Sequence, residues 1–429
     1  MLLQNLLQKM QNCPCGRAHT VDLEGVEIGR GVLDAAADLL HTYRFPDDLL
    51  VVADRNTLLA TSGILEHLER GGFCVRTLIY DDLRTAHRRD VERVLAKLGN
   101  AQAVLSVGTG SLNDICRRAA FLADKPFAIL ATAPSMDGFA SDTAPITDNN
   151  FKKSMPARQP RLILADTDVL AASPAVLKSA GYGDMIAKYI AMADWRVAAL
   201  TIGEYYCPQV AELTRDALQR VVALTDKVTQ SDPKTAEAIM EGLVMTGIAM
   251  KFCGSSRAAS GAEHIVSHFW ECRKLEQGLP SDFHGRKVGV ATLMIARMYH
   301  DLCAHADPER FGADSTDWNR VYAAYGPGFA DDVRRCNSPT VTDDTTPEIL
   351  RENWDAICAA VREEIPAPDV LEDLLRRAGA PTTAQEIDVS PALCLAGLEY
   401  HPYMRHRMLL SRLVPMLQCR TDYPKWAGM

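Results

Sequence analysis

The stretch VLSVGTGSLND, residues 104–114, decides the fold. Val104, Leu105 and Val107 make a short apolar run, Gly108 and Gly110 break it, and a helical pattern follows from about residue 112. A strand that passes through a glycine turn into a helix is the unit from which parallel sheets are wound. Glycine lets the backbone approach a ligand with no Cβ in the way. The N–H groups at the start of a helix favour an anionic group beside them. Ser111, Asn113 and Asp114 are placed to cap that helix or to hydrogen-bond such a ligand. The spacing is GxGSxxD rather than GxGxxG, so the turn by itself reads equally well as structural.

The flanking sequence repeats the unit. DLLVVAD (48–54), CVRTLIY (74–80), AVLSV (103–107), FAILAT (127–132) and LILAD (162–166) are apolar runs of strand length. TLLATSGILEHLERGG (57–72) reads as one amphipathic helix stopped by Gly71-Gly72, and RRDVERVLAKL (88–98) as another. This alternation predicts an α/β domain with a doubly wound, mostly parallel sheet. From residue 173 the texture changes to helical periods, through roughly residue 253 and again over 287–303, 347–364, 366–377 and 391–418. A chain of 429 residues exceeds the size at which one core usually stops growing. Two domains are therefore expected: an α/β domain over 1–172 and an all-α domain over 173–429, with the active site in the cleft between them.

Ligands are carried by the carboxyl ends of strands in such a sheet. ATAPSMDGFAS (131–141) follows the fourth apolar run and supplies the hydroxyls of Thr132, Ser135 and Ser141. Asp54 follows the first run. It reads equally as an acceptor for a ribose or as a turn cap. Asp137, in PSMDG, reads as a contact to substrate hydroxyls or as a turn residue before Gly138.

The helical half holds a second constellation. Asp184 lies in GYGDMIAKY, His264 and His268 in GAEHIVSHFW, and His284 in DFHGRKVG. Two histidines four apart share one helix face. One carboxylate with two or three imidazoles suits a divalent transition metal. A substrate also needs an open position on the ion, so three of the four residues are expected to bind metal and one histidine to face the substrate. A metal that polarises an alcohol or ketone oxygen beside a nicotinamide is the arrangement for hydride transfer.

Composition narrows the classes. With 46 basic against 55 acidic residues the net charge is −9, which excludes the basic footprint of a nucleic-acid surface. No apolar run approaches the roughly 20 residues needed to span a bilayer. MLLQNLLQKMQN has no basic start followed by a continuous apolar run, so a docked amphipathic helix is expected rather than a signal peptide. The 12 cysteines are scattered, which suits a reducing cytoplasm. Cys13, Cys15 and His19 in CPCGRAH lack a fourth ligand and a second close pair, and read as a surface turn with incidental thiols.

VVADRNT, SVGTGSLNDICR, ATAPSMDGFAS, ADTDVL, GYGDMIAKY, SSRAASGAEHIVSHFWE, FHGRKVGVAT and HPYMRHRMLLSRL, in this order, resemble the superfamily of dehydroquinate synthases and iron-dependent alcohol and glycerol dehydrogenases. Within it the bacterial glycerol-1-phosphate dehydrogenase branch is the nearest likeness. The resemblance implies NAD(P) on the α/β domain and a metal, zinc or nickel, on the helical domain. It implies interconversion of dihydroxyacetone phosphate and sn-glycerol 1-phosphate, a step of phospholipid metabolism, in a cytoplasmic homodimer or higher homo-oligomer. Carried over by residue, Asp184, His264 and His284 are metal ligands, and Asp184, His268 and Asp137 meet the substrate. Asp54, Gly110, Ser111, Leu112, Asn113, Asp114, Thr132, Ala133, Pro134, Ser135 and Ser141 are the dinucleotide contacts. One departure is Thr109, where many relatives have a third glycine. The alternatives are a dehydrogenase of glycerol or another unphosphorylated polyol, and a dehydroquinate synthase-like enzyme. Arg257 and Lys188 are candidates to meet a substrate phosphate. An acidic Asp54 at the ribose favours NADH over NADPH.

Overall fold

The structure is a computed structural model that describes residues 2–429, without the side chain of Leu2. Its strands are β1 (Gly25–Gly29), β2 (Asp48–Asp54), β3 (Cys74–Tyr80), β4 (Ala103–Gly108), β5 (Phe127–Ala131), β6 (Thr143–Asp148), β7 (Phe151–Pro156) and β8 (Leu162–Asp166). Six of them form one sheet in the order β1-β8-β5-β4-β2-β3, and every pairing in it is parallel. Both faces are covered. Leu49, Val51 and Ala53 pack with Ala36, Leu40 and Leu68 on one side. Leu50 and Val52 belong to the larger core that continues into the helical half. Burial on both faces is why these strands read as unbroken apolar runs. The chain reverses its winding between β2 and β4, so the carboxyl ends of these two neighbours form the switch point where a doubly wound sheet takes its ligand.

After Asp166 the described residues contain helices and turns and no strand. No helix among them is long and apolar enough to cross a membrane. The N-terminal helix, Leu2–Met10, buries Leu3, Leu6 and Met10.

Several elements differ from expectation. The segment 57–72 is two short helices, Arg55–Ala60 and Ile64–Arg70. Gly63 separates them at φ +86°, a conformation that a continuous helix excludes. The segment 391–418 is a helix only over Pro391–Tyr400, and then turns through short 3-10 segments to a last helical turn at Val414–Leu417. The edge strand β1 was not anticipated. Neither was the antiparallel hairpin β6–β7, whose two-residue loop is Asn149-Asn150, both at positive φ. That loop chemistry is a hairpin signal.

Helices Ala175–Ile186 and His284–His305 cross with their backbones in contact. A Cβ on Gly183 would overlap the Gly285 carbonyl, and one on Gly285 would overlap the Ala180 carbonyl. A Cβ on Gly181 would overlap the Pro134 carbonyl in the loop after β5. Substituting alanine forces backbone apart in a packed interior. Gly285→Ala is expected to lower stability by about 1–3 kcal/mol, the usual range for overpacking. Urea denaturation of the variant checks this, and an unchanged midpoint would show that the crossing has slack.

Candidate functional site

A cavity of about 820 Å³ lies against the carboxyl ends of β2, β4 and β5 and opens onto the helical half. Gly110, at φ +47°, precedes the helix Ser111–Leu122, so the helix start faces the cavity. Asp54, Ser111, Leu112, Asp114, Thr132, Ser135 and Ser141 also line it. Asn113, Ala133 and Pro134 do not. Asn113 is fully buried under the helix, where its Oδ1 accepts from Ser106 Oγ at 2.7 Å. Ala133 is buried, and Pro134 turns its carbonyl to Gly181. Thr109 reaches across the turn, with Oγ1 2.8 Å from Ser135 Oγ. Asp54 caps the helix Arg55–Ala60, its Oδ1 accepting from the Thr57 amide at 2.9 Å, and still borders the cavity. Burial pushes the Asp114 carboxyl up to about 6, with Arg117 opposing.

On the opposite side His264 and His284 line the cavity, and the fully buried Asp184 converges with them from behind the wall. One ligand atom from each lies within 4.8 Å of the others. Asp184 comes from the last turn of its helix, His264 from the first turn of Ala262–Glu276, and His284 starts its own helix. His264 Nε2 is 3.2 Å from Asp184 Oδ1, and His264 Nδ1 is 2.6 Å from Glu263 Oε1. Burial disfavours a charged His264, but the bonds to Asp184 and Glu263 outweigh it and push its pKa up to about 9. Burial likewise opposes ionisation of Asp184, yet Lys188, His264 and His284 hold its carboxyl well below the usual range. His284 is pushed down to about 3 by burial, and its Nδ1 is buried with no hydrogen-bond partner among the described residues. A permanent carboxylate, a neutral imidazole with an unmet nitrogen, and an imidazole oriented by a second carboxylate form a donor set that fits a divalent cation.

His268 sits one helical turn beyond His264, its ring centroid 5.5 Å from that of His284. Burial, Lys152, His284 and Arg405 keep it neutral. Asp137 lines the cavity, its amide donating to Asp184 Oδ2 at 2.9 Å and its Oδ2 accepting from Lys188 Nζ at 2.5 Å. Lys188 is wholly buried and committed to these two carboxylates. Arg257 is committed as well, to both Glu204 oxygens and the Met408 carbonyl. Neither of the cations singled out for a phosphate is free to serve one.

Other cations take that place. Lys152, on β7, lies 2.7 Å from Glu271 Oε1, and Lys287 lies 2.5 Å from Glu271 Oε2. Among the described residues Arg405 bonds only to backbone carbonyls, one of them that of Lys152 at 2.6 Å. All three line the cavity, where two lysines share the Glu271 carboxylate and Arg405 pairs with no carboxylate among the described residues. Sequence reasoning missed Lys152 because it missed the hairpin that carries it. Asn149-Asn150 was the available signal.

Residues 27–174 match the iron-containing alcohol dehydrogenase family. Over 430 aligned residues the chain is 30% identical to the glycerol-1-phosphate dehydrogenase (NAD(P)+) of Geobacillus thermodenitrificans, covering 98% of each chain. It is 32% identical over 278 residues to the enzyme of the same name from Methanosarcina mazei, covering 64% of this chain and 76% of that one. Among solved structures, a probable glycerol dehydrogenase from Sinorhizobium meliloti superposes with a TM-score of 0.63 at 16% identity, covering 95% of this chain and 98% of that one. At that identity the likeness shows the fold alone.

The Glu263–His264 contact yields a test. Glu263→Gln leaves the three candidate ligands in place but weakens the acceptor that orients His264. Metal affinity is expected to fall about 10–100-fold, the usual effect of such supporting groups. Competition with a chelator measures it, and an unchanged affinity would remove Glu263 from the site.

Proposed function

Because the chain belongs to the glycerol-1-phosphate dehydrogenase family of iron-containing alcohol dehydrogenases, we propose that it interconverts dihydroxyacetone phosphate and sn-glycerol 1-phosphate with NAD(P)H. One observation carries the reading: a single cavity joins the glycine turn, the two histidines of the Asp184/His264/His284 cluster and the Lys152/Lys287/Arg405 wall. On this reading residues 1–172 are the dinucleotide domain and 173–429 the metal and substrate domain. Asp184, His264 and His284 hold one divalent metal, Zn²⁺ or Ni²⁺. When bound, the metal supplies Lewis acidity at the substrate oxygen and the nicotinamide supplies or accepts the hydride.

The chain's own groups do the rest. The start of helix Ser111–Leu122 receives the pyrophosphate, with Thr132, Ser135 and Ser141 around it. The Asp54 carboxylate accepts from the adenosine ribose and repels a 2′-phosphate, so NADH is preferred. His268, kept neutral, offers one ring N–H and one acceptor nitrogen, and so orients a substrate hydroxyl without adding charge near the metal. The remaining Asp137 acceptor capacity faces the cavity for a second hydroxyl. Lys152, Lys287 and Arg405 receive the substrate phosphate, with Glu271 bridging and positioning the two lysines.

The cation wall separates this reading from a dehydrogenase of unphosphorylated polyols. NADH oxidation is expected with dihydroxyacetone phosphate, giving the sn-1 product on chiral analysis, and to be much weaker with dihydroxyacetone. Lys152→Ala removes one charged contact of about 1.5–3 kcal/mol. It should raise KM for the phosphorylated ketone at least about tenfold, and leave kinetics with dihydroxyacetone unchanged. Equal kcat/KM for the two ketones in the unmodified enzyme would sink the phosphate assignment.

A further inference from the structure

Outside the lining of this cavity, the structure overturns one expectation from the sequence. CPCGRAH is a surface turn, as expected, but its thiols do not lack a fourth ligand, because the chain brings Cys207 to it from 188 to 194 residues away. Cys13, Cys15, His19 and Cys207 each present one ligand atom within 4.8 Å of the other three. Cys13 Sγ lies 3.5 Å from Cys207 Sγ, Cys15 Sγ lies 3.2 Å from His19 Nε2, and Cys207 Sγ lies 3.8 Å from the same nitrogen. A tetrahedral ion with metal–sulfur bonds of about 2.3 Å has ligand–ligand edges of about 3.8 Å. The observed edges are of that size.

We propose that Cys13, Cys15, His19 and Cys207 form a second metal site, a closed structural zinc centre that ties the N-terminal segment to the helical half. The donor set supports zinc: three soft thiolates with one imidazole is a structural zinc set. It leaves no open position, unlike the oxygen and nitrogen donors at Asp184, His264 and His284.

The surroundings are arranged for it. His19 is buried, and its Nδ1 is 3.2 Å from the Phe252 carbonyl, which fixes that nitrogen as the N–H and turns the Nε2 lone pair toward the sulfurs. Tyr205 donates its hydroxyl hydrogen to Cys15 Sγ at 3.1 Å. Arg17 lies over the Tyr205 ring, 3.5 Å from its centroid, and adds positive charge beside three thiolates. Cys207 is fully buried at the N-cap of helix Pro208–Val222, where the helix start places partial positive charge beside its sulfur. Gly16, at φ +77°, lets the chain turn back between Cys15 and His19. Binding releases the three thiol protons to solvent and changes no oxidation state. None of the four residues lines the large cavity.

The test uses the full chain. Zinc analysis of protein produced in zinc medium should show that Cys207→Ser and Cys15→Ser each lose one equivalent that His264→Ala retains. On the unmodified chain, titration with a mercurial should release zinc to a colorimetric indicator in step with thiol modification. Replacement by cobalt should give a sulfur-to-metal charge-transfer band that survives His264→Ala and disappears in Cys207→Ser. Because the thiolate band is independent of turnover, it holds or fails separately from the proposed dehydrogenase activity. Absence of that band, no zinc release on thiol modification, or a Cys13–Cys207 disulfide in the intact mass would each overturn the proposal.

Discussion

The close crossing of helices Ala175–Ile186 and His284–His305 is the constraint from which the active-site geometry follows. A hydrogen in place of a side chain at Gly181, Gly183 and Gly285 lets backbone meet backbone. With ordinary side chains the helices would stand about 8–10 Å apart, and their ligands would separate accordingly. Here Asp184, one residue after Gly183, and His284, one residue before Gly285, reach the same point in space. Gly181 extends the same contact to Pro134, in the loop that follows β5 and carries Thr132 and Ser135. Glycines on two helices therefore set the distance between Asp184 and His284 and from the Asp184 helix to the loop after β5.

That compactness puts ionisable groups where water does not reach, and their arrangement is the chain's answer to the cost of burial. Asp184, Asp137 and Lys188 form one compensated group, Asp194 and Glu263 stand nearby, and Glu271 is shared by Lys152 and Lys287. Buried ion pairs of this kind often contribute little net stability compared with apolar packing of the same volume. Their grouping on and just behind the wall of one cavity, with pKa values driven in opposite directions, is the pattern of a working site. Asp184 stays a carboxylate and His268 and His284 stay neutral imidazoles, which are the forms in which they bind cations and substrate hydroxyls.

Local physics explains which parts were legible in the sequence. Strands β2, β4, β5 and β8 announce themselves because both faces of the sheet are covered, so their apolar runs are nearly unbroken, whereas β3, at an edge with only Tyr80 buried, is legible from its β-branched and aromatic residues. Strand β1, GVEIG, is at an edge with only Gly25 buried, and it lacks an unbroken apolar run. The helix predicted over 57–72 keeps its amphipathic period across a break that only the backbone of Gly63 reveals. Asn113, Ala133 and Pro134 lie within a stretch of ligand contacts by sequence but turn into the core, since a motif assigns positions and not side-chain directions. Arg405 and Cys207 were out of reach for another reason. Each becomes meaningful only beside residues more than 100 positions away, and no spacing rule encodes that contact.

Arg257 shows why charge alone is a poor guide to a phosphate pocket. It stands just ahead of the His264 helix and is an attractive anion ligand by position, yet three of its bonds are already made. Lys152 and Lys287 are also paired, but with a single carboxylate between them and with Arg405 alongside. An arriving dianion can therefore gain contacts without first breaking a complete pairing. The quantity that separates a structural cation from a binding one is the imbalance left after local pairing. In this cavity that imbalance is concentrated on the wall formed by β7, the start of helix His284–His305 and the segment around Arg405. His268 and His284 face the same wall, so a phosphate held there would bring the adjoining carbons of a three-carbon substrate next to the metal ligands.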